Sequence, residues 1–193
     1  MFPRNHQAWR HRFDEHSVNG LRLPKLFIDL TLGTVDWAHW NGAYIHDASG
    51  GGKISNVTQV GGGTYGNYTA SSRNVSWTNG TPTASGTNDH GYLWSNGAAN
   101  SGWSFSVPAD TNSRTLHVVC GGPGTGASVK ITAHLSDGSD DDLSDTKTAS
   151  ALFTNEYTFT YNAASDGQTL TITVVHTNSG GPSSDLVAAW LTN

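Results

Sequence analysis

Seven tryptophans in 193 residues are the chain's most concentrated chemical resource. An indole is a flat, rigid, weakly negative plate that loses little entropy on ordering, and it suits the apolar C–H face of a pyranose ring. Each tryptophan must therefore be weighed as a sugar platform against the ordinary task of filling a core. Trp103 falls in phase with Phe105 and Val107, and Trp190 in phase with Leu186 and Ala188, which reads as core. Trp77 is in phase with Val75 but abuts the turn TNGTP, a position open to core or rim. Trp37 and Trp40, three residues apart, cannot share one strand face, so at least one of them is expected at the surface. Trp94 lies in the Gly/Asn-bounded segment GYLWSNG, read as a loop. With Tyr65 and Tyr68, the indoles of Trp37, Trp40, Trp77 and Trp94 form the candidate ligand-binding set.

Arg73 joins that set because a planar guanidinium can grip a carboxylate or vicinal hydroxyls; pairing with a protein carboxylate is its other reading. The acidic run from Asp137 to Asp145 brings several oxygen ligands together, and Asp137, Asp140 and Asp142 are the candidate ligands of a structural calcium. The run lacks the alternating spacing of an EF-hand loop, and consecutive Asp side chains point in different directions, so a solvated turn is the alternative. His39 and His46 do not have zinc-site spacing. His117 and His134 fall in strands on the side opposite the expected core, as surface histidines. Cys120, the one cysteine, alternates with Leu116 and Val118 as a small buried hydrophobe. GGPGTG at 121–126 lacks the Lys-Ser/Thr ending of a phosphate loop, no GxSxG is present, and no pair among the acids stands out as catalytic.

The elements that must position these residues are strands. Period-2 alternation is clear in GWSFSVP, RTLHVVC, ASVKITAHL, EYTFTYN and QTLTITVVH, and weaker in LFIDLTL, KISNVTQV, RNVSWT and DLVAAWLT. Segments 41–52, 79–101 and 136–150 read as loops. With 23 Gly, abundant Thr, Ser and Asn, and no βαβ alternation, the expectation is an all-β antiparallel sandwich or jelly roll over residues 26–193. Residues 1–25 read as a short N-terminal extension, helical or irregular, with Asn5 as a cap and Gly20 as a stop.

Only 13% of residues are charged, about half the usual ~25%. From residue 26 onward five basic residues face thirteen acidic ones, which disfavours a nucleic-acid partner. No stretch approaches the ~18 apolar residues of a membrane span, so membrane insertion is not expected. The N-terminus has no apolar leader region, an expectation compatible with a piece of a longer secreted chain.

The serial order of several motifs resembles a β-sandwich accessory module found in large secreted bacterial proteins, beside glycan-degrading or adhesive domains. The motifs are DWAHW at 36–40, KISN at 53–56, SWTNGTPTAS at 76–85, FSVPADTNSRTL at 105–116, AHLSDGS at 133–139 and YNAASDGQTLTIT at 161–173. The resemblance implies an extracellular or cell-surface domain of carbohydrate-binding type and carries no assigned binding residues. Residues and resemblance together point to a non-catalytic module that binds a glycan or polysaccharide or attaches to a surface. The alternatives are a structural or adhesive spacer, packing on a neighbouring domain or associating with itself, and a small jelly-roll hydrolase or lyase.

Overall fold

The computed structural model describes residues 11–13, 27–180 and 183–193. The first half of the chain forms short strands: β1 (His11–Phe13), β2 (Phe27–Asp29), β3 (Asp36–Trp40), β4 (Tyr44–Asp47) and β5 (Thr58–Val60). These are followed by β6 (Thr64–Tyr68), β7 (Asn74–Trp77), β8 (Gly80–Thr81), β9 (Gly86–Asp89) and β10 (Tyr92–Asn96). The second half is built of longer strands, β11 (Ser101–Ala109), β12 (Arg114–Gly122), β13 (Ser128–Leu135), β14 (Leu143–Thr148), β15 (Phe153–Tyr161), β16 (Gln168–His176) and β17 (Ser184–Thr192).

Two sheets form the sandwich. One runs β14-β13-β16-β11-β5; the other runs β1-β15-β12-β17-β3-β4-β8, with β10 branching from β17 and β6 pairing on β10. The expected all-β antiparallel sandwich is the architecture observed. The strands predicted from clean alternation send the expected residues inward: Trp103, Phe105 and Val107 of β11 meet Leu116, Val118 and Cys120 of β12 in one core, with Ile131, Tyr157, Phe159 and Ile172. Burial of these side chains is the main favourable term holding the layers together. Cys120 is buried as expected, and desolvation pushes its thiol pKa far up, so it stays a thiol.

A third layer was not anticipated. The small sheet β2-β7-β9 covers the outer face of the larger sheet and encloses a second core of Ile28, Leu30, Trp37, Ile45, Val75, Trp77, Val187 and Trp190. Strands β3 and β17 are thus buried on both faces, which explains the continuous apolar run LVAAWL. A bulge gives β17 one residue more than β12 between Leu186 and Ala188. The extra residue, Val187, breaks the period, so Leu186, Ala189 and Leu191 face the main core while Ala188 and Trp190 face the second. Trp190 is core, but on the opposite face from Leu186.

All three expected loops contain strands. Segment 41–52 holds β4, 79–101 holds β8, β9 and β10, and 136–150 holds β14. Strand β10 owes its existence to backbone pairing with β17 and β6, which composition does not register. LFIDLTL turns at Asp29, whose carboxylate accepts the Thr31 amide (3.0 Å) and starts a 3-10 turn over Leu30–Leu32. KISNVTQV is a strand only from Thr58. The expected helix over 5–20 lies outside the described residues except at His11–Phe13, which pair antiparallel with β15.

Candidate functional site

The third layer decides the fate of most candidate residues. Trp37 and Trp40 do point to opposite faces of β3, but both faces are covered. Trp40 packs on Phe105 (4.9 Å between ring centroids) in the main core, and Trp37 packs on Trp77 (6.4 Å) in the second. Trp77 is held by a hydrogen bond from its indole N–H to the Thr83 carbonyl (3.1 Å) and lies against Gly86 and His39. None of these three indoles presents a face to solvent, so the reading of Trp37, Trp40 and Trp77 as sugar platforms is corrected. Arg73 is corrected likewise. It is buried, donating to Asp185 (2.7 Å) and to the Thr154 hydroxyl (2.8 Å), with its guanidinium 4.6 Å from the centre of the Tyr92 ring.

Tyr65 points toward the sandwich interior. Its hydroxyl donates to the carbonyls of Val60 and Gly61, and its ring meets Trp103 edge-on at 5.2 Å. The acidic run folds as a turn that leads into β14 at Leu143, with Asp145 on that strand. Asp137 accepts from the Ser139 amide (3.0 Å) and the Ala164 amide (2.7 Å), Asp142 pairs with exposed His134 (2.6 Å), and Asp140 is half-buried. Among the described residues, no three His, Cys, Asp or Glu side chains converge as a metal site requires.

Tyr68 and Trp94 remain, and the structure brings them together. Trp94 belongs to strand β10, not to a loop, and β10 pairs with β6 in the register Tyr92↔Tyr68, Trp94↔Gly66, Asn96↔Thr64. Alternation sends Leu93 into the main core and therefore places Tyr92, Trp94 and Asn96 on the opposite face with Thr64, Gly66 and Tyr68, at the edge of the second core, where Tyr92 is buried and Trp94 packs against it. Gly66 is required there. A Cβ at this position would stand 2.5 Å from Cζ2 of Trp94, so the indole lies directly over the side-chain-free backbone. Trp94 is half-buried, while Tyr68 is 48% exposed and rests on Tyr92 (5.5 Å, tilted). Behind Tyr92 stand Arg73, Asp185 and Thr154, so the aromatic surface is backed by a fixed polar network. Burial raises the Tyr92 phenol to about 12, keeping it neutral at physiological pH.

Thr64 and Asn96, both exposed, supply a hydroxyl and an amide on the same face. Sequence reasoning missed these two. Their signal is the alternation Tyr92, Trp94, Asn96, hidden inside a segment that Gly and Asn at its ends mark as a loop. Chemically, the face offers one indole, one phenol ring and neutral hydrogen-bonding groups at its rim.

Two histidine–carboxylate pairs lie elsewhere, His117–Glu156 on the large sheet and His39–Asp89 between the large sheet and the small one. His117 Nδ1 is 2.8 Å from Glu156, and its ring stacks flat on Trp190 at 4.7 Å. His39 is fully buried, with Nδ1 2.8 Å from the Val187 carbonyl and Nε2 3.0 Å from Asp89, which also accepts from Asn41 and the Gly91 amide. The His39 hydrogen bond, seconded by the Gly91 amide, holds the Asp89 carboxyl down at about 2, against an ordinary 3.8. A carboxylate depressed in the folded state stabilises the fold above its unfolded pKa, and that stabilisation is lost as pH falls through the folded value. Stability is therefore expected to drop by on the order of 2 kcal/mol between about pH 4 and pH 2 through this group. Denaturant unfolding across that range should show the drop, and Asp89→Asn should flatten it.

No protein-family model matches the chain, and no curated protein matches it. The chain is similar to several solved structures. One is TmCBM61 in complex with beta-1,4-galactotriose, with 12% identity over 74% of this chain and 91% of that one and a TM-score of 0.46. Another is the CBM22-1 xylan-binding domain of Paenibacillus barcinonensis Xyn10C, with 15% identity over 70% and 84% of the two chains and a TM-score of 0.42. A third is the carbohydrate-binding module CBM36 in complex with calcium and xylotriose, with 12% identity over 71% and 99% of the chains and a TM-score of 0.39.

Proposed function

We propose that the chain is a non-catalytic, extracellular glycan-binding module whose contact surface is the outward face of the β6–β10 ribbon. The observation that carries this reading is an exposed tyrosine beside an indole that lies over a glycine. Tyr68 is one of three large apolar residues that are exposed among the described ones, and Trp94 beside it is held in place by Gly66. Rigid aromatic plates order a sugar ring at low entropic cost, and the hydroxyl of Thr64 and the amide of Asn96, on the same face, suit hydrogen bonding to its hydroxyls.

The ligand class follows from charge. Among the described residues, Arg73 is buried against Asp185, Arg114 is paired with Asp110, Lys53 bonds the Gly50 carbonyl, and Lys130 and Lys147 sit on the five-stranded sheet. With no Lys or Arg of residues 27–180 and 183–193 on this face, and with acidic residues outnumbering basic ones in the domain body, the fitting ligand is uncharged. The scarcity of charged residues and the abundance of hydroxyls and amides agree with an extracellular setting.

Binding to a panel of neutral and acidic polysaccharides, by pull-down and by array, tests the reading. Trp94→Ala and Tyr68→Ala should each weaken binding to a neutral glycan at least about tenfold, or roughly 1.4 kcal/mol. Neither variant should change the circular dichroism spectrum. Undiminished binding by both variants, or binding to no member of the panel, would overturn it.

A further inference from the structure

Asn-Gly pairs carry their own chemistry. The glycine amide nitrogen, once deprotonated, can attack the asparagine side-chain carbonyl carbon because no side chain shields it. The described residues contain three such pairs, Asn41-Gly42, Asn79-Gly80 and Asn96-Gly97. Their surroundings differ sharply.

At Asn41 the side chain is tied at both ends: its amide nitrogen donates to Asp89 (2.9 Å) and its oxygen accepts from the Ala43 amide (3.2 Å). At Asn79 the side-chain nitrogen donates to Asp47 (2.6 Å) and Ser49 (2.7 Å), and the Gly80 amide that would attack is engaged by the Ala84 carbonyl (2.8 Å). Asn96 is the reverse case. It is exposed at the end of β10, and the Gly97 amide nitrogen lies 2.6 Å from its own neighbour's side-chain oxygen. The nucleophile is held against the carbonyl group it would attack, and the side-chain nitrogen of Asn96 is tied to none of the described residues. Gly97 also has φ = +98°, a conformation that favours glycine.

We infer that Asn96 is the chain's site of spontaneous deamidation among these three pairs. The Gly97 nitrogen bonds to the Asn96 side-chain carbon, the carbon–nitrogen bond of the side-chain amide breaks, and ammonia leaves. Water then opens the five-membered imide at either carbonyl, giving an aspartyl or isoaspartyl residue and one added negative charge. No oxidant, metal or enzyme is needed. The isoaspartyl product adds a methylene to the main chain where Asn96 pairs with Thr64. The new charge lands on the same strand face as Trp94, two residues away, so the reaction ages the surface assigned above to glycan binding. That last consequence rests on the glycan reading; the site of reaction does not.

The test is peptide mapping by mass spectrometry after incubation of the folded protein at neutral and alkaline pH. A urea-denatured sample serves as the control in which all three pairs are free to react. The folded protein should accumulate the NH2-to-OH mass change at position 96 several-fold faster than at 41 or 79, and faster at higher pH. Asn96→Gln should abolish the fast component. Equal rates at the three positions in the folded protein, or protection of position 96 while the denatured control reacts, would overturn the inference. Binding of Asn96→Asp to the neutral glycan, expected to fall several-fold, reads the functional consequence separately. Unchanged binding there would refute the consequence and leave the deamidation site standing.

Discussion

Asp185→Ala is expected to lower the stability of the fold by about 3–5 kcal/mol, although the residue touches neither solvent nor ligand. Its carboxylate accepts from Arg73 at 2.7 Å in a site where both side chains are buried. Burial drives the Asp185 pKa up to about 6 even with the guanidinium alongside, so desolvation outweighs the attraction of the pair. Deleting one partner leaves the other charge buried with only the Thr154 hydroxyl and the Tyr92 ring for company. Replacing both, as in Arg73→Met with Asp185→Leu, removes the desolvation cost along with the attraction and should cost much less than the single change. A carboxyl raised in the folded state stabilises most below its unfolded pKa and loses that contribution as pH rises through about 6. The stability difference between the native chain and the double variant should therefore favour the native chain more at pH 4 than at pH 7. Urea unfolding of Arg73→Met, Asp185→Leu and the double variant at both pH values closes the cycle, with Asp185→Ala measured beside them. A double variant as damaged as Asp185→Ala would show that the pair, not the unpaired charge, is what the fold needs.

The same network shows what sequence can and cannot reveal. Long strands with one covered face, such as β11 and β16, are legible because alternation records which face is buried. Their predicted inward residues, among them Trp103, Val107, Ile172 and Val174, are all core. Strand β3 is not legible in this way. DWAHW is buried at every position because a second sheet lies on its outer side, and a pattern of alternation has no means of announcing that cover. The expectation that at least one of Trp37 and Trp40 lies at the surface fails for that reason alone. Strand β10 was missed for a different one: it has five residues, its ends are turn formers, and what makes it a strand is hydrogen bonding to β17 and β6, some 90 and 30 residues away. Arg73 and Asp185 are 112 residues apart, a separation at which charge pairing leaves no trace in a single sequence. Tyr68 and Trp94 were among the candidates, but their adjacency depended on that unseen strand.

The largest single-residue effect expected in the core separates structural from functional tryptophans. Trp40→Ala removes an indole that is 1% exposed and packed on Phe105 between the two main sheets. Such truncations cost about 3–5 kcal/mol, the transfer term plus the cavity left behind. For a domain of this size that corresponds to a fall in Tm of roughly 10–15 °C. Trp94→Ala removes a half-buried indole from the rim, where the neighbouring position is already a glycine and the chain can settle toward it. Its cost in stability should be about 1 kcal/mol. Glycan binding distinguishes the two in the opposite order. Measured well below both melting temperatures, Trp40→Ala should retain the affinity of the native chain, since nothing on the β6–β10 face contacts the solvent through Trp40. Trp94→Ala should lose affinity while keeping its fold. A folded Trp40→Ala variant that fails to bind would move the binding surface away from Tyr68 and Trp94 and toward whatever the main core supports.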